Sequence, residues 1–106
     1  MANAQIDMIR AVLKENPLIK PGASLADMRQ ALDTMGSSVP RLADVSALAV
    51  SAGGVSAEWL TPASGDTGSV ILYLHGGGYL LGSVDSHRPL LERLAKASGG
   101  RVLALN

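Results

Sequence analysis

The 106-residue sequence contains no cysteine and no phenylalanine. Without thiols there can be no disulfide, no thiolate zinc site and no cysteine nucleophile. Aromatics amount to 3%, namely Trp59, Tyr73 and Tyr79, so aliphatic side chains must fill the core. An excess of one charge is also missing, because nine basic residues balance nine acidic ones. Nothing then points to nucleic acid or an anionic membrane as a partner. Two histidines, His75 and His87, lie far apart in the sequence and make a poor metal signature. Long apolar runs are absent too. Val70-Ile71-Leu72-Tyr73-Leu74 is far too short to span a bilayer, and Asp7, Arg10, Lys14 and Glu15 interrupt any leader-like apolar stretch. A soluble, cytoplasmic protein without a membrane span is the expectation.

What is present suits one small domain with a buried core: 47% of residues are hydrophobic and 17% charged. Ile6, Ile9, Val12 and Leu13 recur at helical spacing, and Asn16-Pro17 ends that helix because proline disfavours helix at the residue before it. A second helix starts at Ser24 as N-cap with Asp27 in its first turn. Leu25, Met28, Leu32 and Met35 line its apolar face, and Gly36 is expected to stop it. After Pro40 the period changes. Residues 45–50 and 55–60 read as strands of a hairpin turning at Ala52-Gly53-Gly54, and a polar loop follows at residues 64–68. Residues 70–74 form a nearly continuous apolar strand, the kind usually buried on both faces. A glycine loop leads to a helix capped by Ser86 or Asp85, with Pro89 in its first turn, Leu91, Leu94 and Ala95 on its inner face, and Gly99-Gly100 as its stop. Residues 101–105 begin another buried strand. Strand, helix, strand is a βαβ crossover, so the fold class is α/β.

The glycine loop carries the chemistry. Glycines let a backbone turn sharply and present N–H groups to a phosphate or a developing oxyanion. The phosphate patterns fail on spacing. Gly77 and Gly82 satisfy G-x-x-x-x-G, but Ser83 follows where a P-loop needs lysine, and G-x-G-x-x-G would run Gly76, Gly78 and then Leu81. A plain strand-to-helix turn accounts for one or two glycines, but less well for histidine, three glycines and an aromatic in a row.

The segment Tyr73-Leu74-His75-Gly76-Gly77-Gly78-Tyr79 resembles the HGGG-type segment of lipases and esterases. The continuation Gly82-Ser83-Val84-Asp85-Ser86-His87 resembles the hormone-sensitive-lipase family of bacterial esterases, in the α/β-hydrolase superfamily. The resemblance covers essentially the whole chain. It implies the N-terminal part of a hydrolase sheet, with residues 1–40 as cap helices and 41–106 as first strands, oxyanion loop and first crossover helix. It further implies that Gly77 and Gly78 donate backbone N–H groups to an oxyanion, that Gly76 permits the turn, and that His75 holds the loop in shape. Tyr79 is either core packing or a wall of the substrate pocket. The cap stripes, Ile6, Ile9, Val12, Leu13, Met28 and Leu32, should face the site mouth or the sheet.

Hydrolases of this kind place their nucleophile in G-x-S-x-G, followed in the chain by an acid and a histidine. Ser38, Ser51, Ser56 and Ser98 each have only one of the two glycines the pattern requires. The resemblance implies a small-molecule ester substrate, no metal or organic cofactor, and a C-terminal remainder, in the same or a second chain, that brings the triad. The rival expectation is a non-catalytic fragment or interaction module pairing through an exposed sheet edge.

Overall fold

The computed structural model describes residues 3–17, 20–63 and 68–106. Of the polar loop expected at residues 64–68, positions 64–67 lie outside them. Among the described residues the elements run α1 (Ala4–Glu15), α2 (Leu25–Ser37), β1 (Val45–Ala52), β2 (Val55–Pro62), β3 (Val70–Leu74), α3 (Val84–Ser98) and β4 (Arg101–Leu105). The result is an α/β arrangement of three helices and a four-stranded sheet.

Each helix begins where a side chain can satisfy its free amides. Asn3 accepts from the Gln5 amide at the start of α1. Ser24 and Asp27 form a reciprocal capping box on α2, at 3.1 and 3.2 Å. On α3 the cap is Ser83, earlier than the sequence suggested: Ser83 and Ser86 exchange side-chain and backbone bonds at 3.1 and 2.9 Å. Ser86 is thus the third helical residue, and Pro89 falls in the second turn. The stop of α2 differs too. Gly36 stays within the helix, which runs on to Ser37, and it is buried. The glycine serves a close helix crossing instead of a C-terminal turn.

The sheet order is β1-β2-β4-β3. Strands β1 and β2 form the expected antiparallel hairpin around Gly53-Gly54, both at positive φ, the conformation a tight hairpin turn needs. Strand β2 pairs antiparallel with β4, and β4 pairs parallel with β3, so the crossover through α3 makes the sheet mixed. Helix α3 covers one face. Leu91 and Ala95 pack there on Leu60, Val102 and Ala104, joined by Val45 and Val84, with Ile71, Tyr73 and Leu94 at the margin. Leu60, Leu91 and Val102 are fully buried, each contributing roughly 1.5–3 kcal/mol. Polar groups also tie the layers: Arg88 of α3 pairs with Glu58 of β2, and buried Glu92 accepts from the Leu42 amide at 3.0 Å.

Two apolar surfaces stay open among the described residues. Strand β3 lies at the sheet edge, and on the face away from α3 its Val70, Leu72 and Leu74 are 52–66% exposed. The alternation follows from the pleat, because only Ile71 and Tyr73 point toward α3. Helix α1 buries none of its residues: Ile6, Ile9, Val12 and Leu13 remain exposed. Met28 and Leu32 on α2 are half-buried, because α2 packs on α3.

Candidate active site

Strand β3 ends at Leu74 and hands the chain to residues 75–83, which bend back into the capping box of α3. The bend is built on one carbonyl: the Leu80 and Leu81 amides both donate to Gly77 O, at 3.2 and 3.0 Å. Gly77 has φ 137°, and a Cβ there would stand 1.8 Å from Leu81 O. No other residue fits that position without opening the turn. Gly78 and Tyr79 both take left-handed conformations, with φ 64° each, whereas Gly76 is not among the positive-φ glycines. Among the described residues the amides of Gly77 and Gly78 donate to no protein acceptor. They are N–H groups at the mouth of an open cleft of about 820 Å³.

His75 is half-buried beneath the loop, its Nδ1 2.9 Å from the Gly76 carbonyl oxygen. Gly82 passes so close that a Cβ would come within 2.7 Å of the same nitrogen. The His75 ring lies 5.5 Å from that of His87, and His87 lies 5.9 Å from Tyr73. These contacts wedge the loop between β3 and α3. Tyr79 is fully exposed among the described residues and lines the cleft.

Ser86 Oγ lies 2.9 Å from His87 Nδ1, the spacing of a nucleophile and its base. Its hydroxyl, however, donates to Ser83 O at 2.9 Å and accepts from the Ser83 amide. That pattern belongs to a helix cap. Among the described residues no cluster of three or more histidine, aspartate or glutamate side chains could hold a metal ion, and no helix is long and apolar enough to cross a membrane.

Three groups at the cleft escaped the sequence reasoning. Arg29 Nε donates to Leu80 O at 2.8 Å, and Ser83 Oγ donates to Asp33 Oδ1. At the end of β4, Asn106 Oδ1 accepts from the Val84 amide at 3.0 Å. Arg29 and Asp33 stand one turn apart on α2, a spacing that in sequence reads as a solvated ion pair. Their partners are 51 and 50 residues away, which no local pattern reveals. A larger cleft of about 910 Å³ between α1 and α2, lined by Val12, Leu13, Ala31 and Met35 among others, does not include the glycine loop.

A family model described as an alpha/beta hydrolase fold matches residues 71–106, the segment from β3 through β4. An acetyl-hydrolase of Streptomyces hygroscopicus is 37% identical over all 106 residues, which make up 35% of that protein. An ethyl acetate hydrolase of Pseudomonas putida is 53% identical over 38 residues, covering 36% of this chain and 12% of the relative. Among solved structures, an esterase from the bacterial hormone-sensitive lipase family superposes with a TM-score of 0.88 at 36% identity. The match covers 100% of this chain and 36% of that one. The chain thus spans about a third of the length of the acetyl-hydrolase and of the solved esterase.

Proposed function

We propose that the chain is part of a hormone-sensitive-lipase-like α/β-hydrolase, a reading supported by its likeness to the acetyl-hydrolase and to the solved esterase along its whole length, and that the hydrolase carrying it cleaves small carboxylic esters through an acyl-serine intermediate. The observation that carries the proposal is the His75-Gly76-Gly77-Gly78 loop at the end of β3, with the Gly77 and Gly78 amides unengaged at the cleft. In this reading those two N–H groups accept no role in the ground-state fold because their work is in the transition state.

The serine, its histidine and an acid come from the C-terminal remainder of the hydrolase. The serine oxygen attacks the ester carbonyl carbon while its proton passes to the histidine. The carbonyl oxygen becomes an oxyanion, to which the Gly77 and Gly78 amides donate. Collapse expels the alcohol with the proton the histidine held, and water then releases the acid by the same route. No metal or organic cofactor enters this scheme. His75 shapes the loop, Tyr79 walls the substrate cleft, and residues 1–40 act as a cap over it.

The names of the acetyl-hydrolase and ethyl acetate hydrolase relatives support short acyl groups as the first substrates to try. The test is hydrolysis of p-nitrophenyl acetate, butyrate and longer esters by the complete hydrolase, with and without a serine-directed phosphonate. Hydrolysis abolished by stoichiometric phosphonate is the expected result. No turnover across the panel would reject the reading. It would favour an interaction module, for which the exposed β3 edge is the supporting observation.

A further inference from the structure

We infer that Arg29 and Asp33 of α2 are positioning residues that hold the glycine loop in its donor geometry; this rests on the oxyanion reading of that loop. Residues 76–80 are all exposed, and exposed loops move unless tied down. Oxyanion donors lose their value when they wander, since catalytic groups must be held to within roughly 0.5 Å. The loop's own bonds run to Gly77 O and do not anchor it to the rest of the fold.

Among the described residues, and beyond its own turn and its junction with α3 at the Ser83–Ser86 cap, the loop is held by hydrogen bonds at two points, both on α2. Arg29 Nε donates to Leu80 O at 2.8 Å, and Asp33 Oδ1 accepts from Ser83 Oγ, so the last loop residues are gripped on either side of Gly82. Positions four apart lie on one face of a helix, so one face of α2 makes both bonds. The helix itself is pressed against α3 by Gly36, whose Cα faces the Asp85 and Ser86 backbone. Helix α2 is therefore a splint between α3 and the loop. Each of the two groups has the right chemistry for its place. Arg29 supplies a charged donor to a carbonyl. Asp33 supplies an acceptor to a hydroxyl whose own acceptor side is taken by the Ser86 amide.

Losing either bond should loosen the loop without unfolding the domain. In the complete hydrolase, Arg29→Ala and Asp33→Leu should each lower kcat about tenfold with KM within about twofold, because a small misplacement of catalytic groups is felt in the chemical step. Asp33→Asn keeps the acceptor oxygen and should retain near-normal kcat. Amide hydrogen exchange at Leu80 and Leu81, which report the turn on Gly77 O, should speed up in Arg29→Ala and Asp33→Leu but not in Asp33→Asn. Unchanged kcat and unchanged exchange in both disruptive variants would overturn the inference. So would a kcat loss that Asp33→Asn shares, or one that merely tracks a lost folded fraction. Were the wild-type hydrolase inactive on every ester, the oxyanion reading would fall, while the exchange measurement would still decide whether α2 holds the loop.

Discussion

Gly36 of α2 faces the carbonyl oxygen of Asp85 in α3 so closely that a Cβ would stand 2.3 Å from it. Pro89, four residues beyond Asp85, has no N–H to offer that carbonyl, which is thereby left free to face another helix. A side chain on Gly36 would also meet Ser86 Cα at 2.8 Å, and these are backbone atoms that cannot swing aside. Gly36→Ala should therefore push α2 off α3 and cost about 1–3 kcal/mol, the usual range for overpacking. Chemical denaturation checks it. An unchanged midpoint would mean that the crossing is looser than described.

The pairing of Arg88 with Glu58 and Asp85 supports a second prediction. The side chains of Arg88 and Glu58 are only 13% and 15% exposed. Burial by itself weakens the guanidinium's hold on its proton, but hydrogen bonds to Glu58 and Asp85 outweigh it and raise the pKa above the ordinary value. The cation thus persists at every accessible pH. Glu58→Gln should cost about 1–3 kcal/mol by leaving that buried charge less well paired. The double variant Glu58→Leu/Arg88→Met should cost less than the two single changes added together. Additive losses in urea melts would contradict the coupling.

Most of the architecture was legible because it is local. Alternation at 45–50 and 55–60, the Gly53-Gly54 turn, the apolar run at 70–74 and the stripe of Leu91 and Ala95 each state their own structure. The glycine loop was legible through its rare composition. What was misread depends on neighbours. Gly36 resembles a helix stop until α3 is seen against it. Three polar residues stand near the start of α3, and only the reciprocal bonds of Ser83 and Ser86 select the cap. Arg29 and Asp33 carry no sequence signal because their partners lie across the fold.

The face of the sheet opposite α3 yields a third prediction. Leu48, Leu72 and Leu74 are 58–66% exposed there. Contiguous apolar surface of this kind associates in water. The 106-residue polypeptide alone should form concentration-dependent oligomers and bind a hydrophobic dye. Leu72→Glu should reduce both effects. A monomer at all concentrations in sedimentation would refute this.

Tyr79 holds φ 64°, the one non-glycine residue with positive φ among those described, and packs on nothing. Relieving that backbone strain should gain about 1 kcal/mol in Tyr79→Gly. If the ring walls the substrate cleft, the same variant should raise KM while largely sparing kcat. Steady-state kinetics with acetate and butyrate esters, run beside a thermal melt, separate the two effects. A stabler protein with unchanged KM would remove Tyr79 from the cleft.

The central claim is that the amides at the end of β3 stabilise an oxyanion, and Gly77→Ala in the complete hydrolase tests it most directly. A Cβ at Gly77 would strike the Leu81 carbonyl, whereas Gly78 has open space around its Cα. Gly77→Ala should displace the donors and lower kcat by about a hundredfold or more, the cost of losing one oxyanion donor, with KM little changed. Gly78→Ala, strained only by its φ of +64°, should lose less. Circular dichroism should show both variants folded. Near-normal kcat in a folded Gly77→Ala hydrolase would contradict the account and leave the loop as a turn.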